Sequence, residues 1–173
     1  MKNIFFFCLV IVTTYTSCDI FDRPTPVAQL PPATQIGANT VGCLLDGDLF
    51  LPGHGPLTTN CFHQYIDGEY YFVMAFGRRY SNGAIVDIGV GTQKKQIHEG
   101  QTYNLVEFGD YNAHGGYGYG LSTSFTSQSH TGQLTITHLD NQIVSGTFWF
   151  DVEDEDGVIH EIREGRFDMQ YTQ

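Results

Sequence analysis

The chain has 173 residues, with 8 Lys and Arg against 19 Asp and Glu, a formal net charge of −11. Nucleic-acid binding and adhesion to anionic lipid through charge both need clustered basic side chains, and this balance argues against each. With 41% hydrophobic and 14% aromatic residues, the chain holds enough apolar material for one domain with a sizeable core.

Residues 1–17 read as a signal peptide. Lys2 supplies a positive start, and the apolar stretch from Ile4 to Val12 is far short of the ~20 residues a membrane-spanning helix needs. The run Tyr15-Thr16-Ser17-Cys18 follows directly. This arrangement resembles the signal peptide of bacterial lipoproteins, in which the Cys thiol receives a diacylglyceryl group and the chain is cut in front of it. The small residues Thr16 and Ser17 fit, whereas Tyr15 stands where such precursors usually carry Leu. The resemblance implies lipidation at Cys18 and attachment to the outer membrane by acyl chains, with the domain facing the periplasm or the cell surface. Each buried CH₂ contributes ~0.8 kcal/mol, so two or three chains suffice to hold a protein on a membrane.

Residues 18–33 read as a tether. Pro24, Pro26, Pro31 and Pro32 fall where no hydrophobic period is visible. Extended polyproline geometry at ~3.1 Å per residue would give the tether a reach of roughly 50 Å. The folded domain is expected over residues 34–173. Proline is absent after Pro56, which suits backbone N–H groups committed to sheet ladders.

From Leu30-Pro31-Pro32-Ala33-Thr34-Gln35-Ile36-Gly37-Ala38-Asn39-Thr40 through Gly42-Cys43-Leu44 to Gly47, the chain resembles small Bacteroidetes lipoproteins of unknown function that open "LPPATQxGANTxGCLxxG". The run Gly165-Arg166-Phe167-Asp168 is similar to the "GRFD" close of the same proteins. The resemblance implies an envelope location and an all-β fold, and it carries no assigned activity.

The residues themselves also say β. Turn dipeptides at Asp46-Gly47, Asp67-Gly68, Asn82-Gly83, Asp140-Asn141 and Asp156-Gly157 separate β-branched and aromatic runs. They predict about ten strands, over 41–45, 48–52, 61–66, 69–77, 84–91, 102–107, 121–126, 133–139, 142–153 and 158–171. That pattern predicts an antiparallel β-sandwich or a barrel-like meander. Tyr70, Phe72, Met74 and Phe76 alternate with Tyr71, Val73 and Ala75, so the fourth strand is apolar on both faces and reads as covered. In the last strand Ile162 has the opposite parity to Phe167 and Met169, so both face inward only if a β-bulge lies near Gly165.

Cys43 and Cys61 are the thiols left after lipidation. In an exported chain an even pair favours a disulfide, which would stabilise the fold by ~3 kcal/mol; the alternative is two buried free thiols. No zinc-protease, serine-hydrolase or phosphate-loop motif is present, so no catalytic residue, metal or cofactor is expected. His54, His63, His98, His114, His130, His138 and His160 are scattered. The acidic run 151–157 fails as an EF-hand, because Val152 and Arg163 occupy the first and twelfth ligand positions. It reads as a solvated turn or, in the alternative, a cation site of another type.

The segment from Gly109 to Gly120 has the composition of a recognition loop. Its glycines keep the backbone open, while Tyr111, Tyr117 and Tyr119 offer flat faces with polar tips for a glycan or protein ligand. Trp149 adds a further aromatic on the mixed face of its strand. The favoured function is a non-enzymatic binding or scaffolding domain; the alternative is a hydrolase or metal-dependent enzyme assembled from dispersed His, Asp and Glu.

Overall fold

The computed structural model describes residues 24–55 and 58–173; Cys18 and the expected signal peptide lie outside the described residues. A 3₁₀ turn at Pro26–Gln29 precedes eleven strands: β1 (Thr40–Leu45), β2 (Asp48–Phe50), β3 (Thr59–Ile66), β4 (Glu69–Arg79), β5 (Ile85–Thr92), β6 (Thr102–Leu105), β7 (Ala113–Tyr119), β8 (Ser122–Phe125), β9 (Gly132–Leu139), β10 (Ile143–Glu153) and β11 (Ile159–Gln170). All ten expected strands are present within a few residues. Asp46-Gly47 and Asp67-Gly68 both carry two consecutive positive φ angles, as the tightest hairpin turns require.

The strands form one open sheet in the order β2-β1-β11-β10-β9-β6-β7-β5-β4-β3, with β8 added to β7. The sheet is mixed rather than purely antiparallel, because β6 meets β7 in parallel at Leu105 and Ala113. It doubles over so that its two halves face each other as a sandwich. The rings of Phe72 on β4 and Phe167 on β11 lie 6.3 Å apart, and those of Phe50 on β2 and Phe76 on β4 lie 5.5 Å apart. Met74, Ile88 and Val90 from one half and Leu134, Ile136, Phe150 and Ile162 from the other complete a single core. Beyond β11, Thr172 bridges to Phe62 on β3. The His63 N–H donates to the Thr172 carbonyl at 3.0 Å, and the Thr172 N–H donates to that of Cys61 at 3.1 Å.

The expected bulge is present. Pairing of β10 with β11 passes from Phe148 opposite Gly165 to Phe150 opposite Ile162, and Glu164 takes a left-handed φ of 54°. This turns both Ile162 and Phe167 into the core, where each is buried.

Other expectations are corrected. The glycine-rich segment expected as an open loop contains β7, a strand paired with β5 and β8 and buried along all but its last residue. The reading of β4 as covered on both faces holds for Phe72, Met74 and Phe76, which are buried, whereas Val73 and Ala75 are half-buried beside an open groove. Within the Pro-rich stretch, the chain turns at Pro26–Gln29 and buries Leu30, so its described part is folded against the domain rather than extended.

Cys43 and Cys61 form no disulfide; both are free, buried thiols. Cys43 sits on β1 opposite Phe50, and Cys61 sits on β3 opposite Met74 at the other end of the strand order. Each packs as a small apolar side chain in the shared core, and burial pushes both thiol pKa values up, that of Cys61 to about 12.

Candidate functional site

Pleat alternation decides which side chains leave the core on β9, β10 and β11. Leu134, Ile136, Phe148, Phe150 and Ile162 point inward, so Gln133, Thr135, Thr147 and Trp149 take the opposite face, joined there by Arg163 and Arg166. With Ala33 and the bulge backbone at Glu164 and Gly165, these residues line a concavity of about 690 Å³. That lies within the ~300–1,000 Å³ typical of ligand sites. The bulge requires glycine: a Cβ on Gly165 would lie 2.5 Å from the Phe148 ring.

Trp149 is 39% exposed, an unusual state for so large an apolar ring. The Arg163 guanidinium lies 5.6 Å from the centre of its ring. That guanidinium is fixed by a 2.5 Å contact with Asp151 and by donating at 3.0 Å to the carbonyls of Phe150 and Ile162. Arg166 pairs with Glu164 at 3.3 Å. Both arginines are therefore oriented and compensated, and they offer hydrogen-bond donors without leaving the groove strongly charged.

Residues 34–38 form a strap over the adjoining part of the same face. They are held by Asp168, whose fully buried carboxylate accepts from Thr34 Oγ1 at 2.6 Å and Ser145 Oγ at 2.8 Å. It also accepts from the backbone N–H groups of Ile36, Gly37 and Ala38 at 3.1, 2.8 and 3.2 Å. Burial acts to raise its pKa, but the bonds from Thr34, Ile36, Ser145 and Gly37 outweigh it and hold the carboxyl at about 2. Gln35 donates to the Thr137 carbonyl at 3.1 Å, and Gln170 donates to that of Gly37 at 3.2 Å. Residues 34–38 and the end of β11, at opposite ends of the domain sequence, thus meet as a single clasp.

Of the aromatic residues expected to form a contact surface, only Trp149 lines this groove. Tyr117 is 6% exposed and stacks on His160 at 4.2 Å between centroids, so it is a packing residue. Tyr119 is exposed at the end of β7, and Tyr111 is exposed where its hydroxyl reaches Glu69 at 3.4 Å. Tyr117 and Tyr119 border one small concavity of about 80 Å³ beside Asp154 and Glu155, whereas Tyr111 lies elsewhere.

Two of the histidines are each engaged by a pair of carboxylates. His160 contacts Asp46 Oδ2 through Nδ1 at 2.8 Å and Asp154 Oδ2 through Nε2 at 3.2 Å. Burial acts to lower its pKa, but the two carboxylates prevail and raise it. His138 is similarly engaged by Glu99 at 3.1 Å and Asp140 at 3.3 Å. At the acidic turn Asp154 also accepts from the N–H groups of Asp156 and Val158, at 3.0 and 2.8 Å, so its carboxylate builds the turn. Among the described residues no group of three or more His, Cys, Asp and Glu is placed to hold a metal ion.

No local pattern in the sequence points to the Asp168 clasp, because the strap and its carboxylate lie 130 or more positions apart. Compared with known proteins, the chain matches no family model, no curated protein and no solved structure.

Proposed function

We propose that this chain is a lipid-anchored envelope protein whose β domain binds an uncharged glycan in the groove on β9, β10 and β11. The observation that carries this reading is the half-exposed Trp149 ring set among Gln133, Thr135 and Thr147 in a concavity of about 690 Å³. The C–H face of a sugar ring stacks on a flat indole, while its hydroxyls need a surround of donors and acceptors. Gln133, Thr135 and Thr147 supply both, and Arg163 and Arg166 add donors. Because each arginine already faces a carboxylate, a neutral sugar suits the groove better than an acidic one. Residues 18–33 would carry the acyl anchor of Cys18 to the strap, whose neighbour Ala33 borders the groove.

A neutral-glycan array probed with the full chain, followed by titration of the best hit, tests the reading. Trp149→Ala should weaken binding at least about tenfold, or ~1.4 kcal/mol, with the melting temperature unchanged. Binding that survives the substitution would remove the groove from consideration.

A further inference from the structure

A second groove lies on the outward face of β4, β5, β7 and β8, remote in the strand order from Trp149. Val86, Ile88 and Val90 turn inward on β5, so Asp87, Gly89 and Gly91 turn outward; on β7 the outward positions are His114, Gly116 and Gly118. Register places Gly89 beside Gly116, Gly91 beside His114 and Asp87 beside Gly118. The floor of this groove, about 180 Å³ in volume, is therefore nearly bare backbone. Val73 and Ala75 form one wall, and Phe125, stacked on Phe108 at 4.8 Å, forms the other.

The fold does not demand glycine at Gly118, and at Gly116 a side chain would need only the Phe125 ring to shift. A Cβ on Gly118 would meet nothing closer than 3.4 Å, and one on Gly116 only the Phe125 ring at 3.3 Å. Neither has a positive φ. Glycine inside a strand destabilises it, so a glycine that packing does not require fits a site where a ligand approaches the backbone closely. His114 gives an independent sign. It is 6% exposed, it lines the groove with its ring against Gly91, and its Nδ1 has no hydrogen-bond partner. Burial pushes its pKa down to about 4, so the ring is neutral at physiological pH. At the opposite end Asp87 forms no hydrogen bond or ion pair among the described residues, although Arg78 and Arg79 border the concavity on its far side, and partial desolvation raises its pKa.

We propose that this groove binds an arylalkylamine: one aromatic ring lying flat on the glycine floor, with a short cationic arm reaching Asp87. Four residues of strand at ~3.4 Å each separate the Asp87 row from the His114 row by ~14 Å, a span that a ring, a two-carbon arm and the two side chains bridge together. Phe125 offers an edge or a face to the ring, and the unpaired Asp87 carboxylate complements the ammonium group in a chain of net charge −11.

Saturation-transfer NMR and calorimetry on the full chain in detergent, with 2-phenylethylamine as the probe, test this directly. The amine should bind at least about tenfold more tightly than 2-phenylethanol, and Asp87→Asn should erase that difference. Gly118→Val should abolish transfer to the ring while the melting temperature stays level or rises. No binding at millimolar amine, equal binding of amine and alcohol to the unaltered chain, or full binding by the valine variant would overturn the assignment. A peptide with an amino-terminal Phe that binds where the free amine does not would overturn it in favour of a protein partner.

Discussion

Asp168 accepts at both carboxylate oxygens, from Thr34, Ile36 and Ala38 at one and from Gly37 and Ser145 at the other. An asparagine in its place must turn an NH₂ group toward donors that are already buried. Asp168→Asn should therefore cost ~2–4 kcal/mol in chemical denaturation, although the side chains are nearly isosteric. The pH dependence follows from the sign of the shift. A carboxyl held at about 2 when folded and ~3.9 when unfolded contributes stability that is complete above the unfolded value and is lost as pH falls through the folded one. The gap between wild type and Asp168→Asn should thus narrow between pH 4 and 2; a gap independent of pH would contradict the clasp. Strand alternation was enough to put Trp149 on the mixed face of its strand. It could not link Thr34 to Asp168, because no period connects residues 134 positions apart.

At the scale of the element, β11 shows how a parity conflict becomes a site. Ile162 and Phe167 both enter the core only because Arg163 and Glu164 together stand opposite Trp149, one residue more than a regular ladder holds, and the resulting bend forms one side of the Trp149 groove. Gly165→Ala drives a methyl into the Phe148 ring and should cost ~1–3 kcal/mol, seen as a lowered melting temperature. An unchanged melting temperature would mean that the bulge relaxes freely. This bulge was legible from residue parity alone. β7 was not, because glycine is depleted in strands and Gly115, Gly116 and Gly118 mask the alternation of Ala113 and Tyr117. Its neighbours β5 and β8 supply the ladders that its own propensity does not. The 3₁₀ turn escaped notice for a related reason: four prolines suggest extension, yet Thr25 accepts from Ala28 N–H at 3.4 Å and Pro26 suits the first helical position.

For the whole molecule, the anchor is the decisive test. Cys18→Ser should abolish labelling by an alkyne fatty acid and release the protein from membranes, and labelling that survives would end the lipoprotein proposal. The all-β architecture was legible because turn dipeptides and apolar runs are local signals. The strand order was not, since β1 finds β11 and β6 finds β9 across long stretches of chain. That order has a kinetic consequence. β1 pairs with β2 and β11, and the strap waits for Asp168, so a growing chain exposes its earliest folded segments without their partners until the last strand has been synthesised. Loop closure across 130 residues makes this step slow compared with the formation of the local hairpins. Truncation before β11 should therefore leave more than a frayed end: it strands β1 and the strap and takes Ile162, Phe167 and Met169 out of the core.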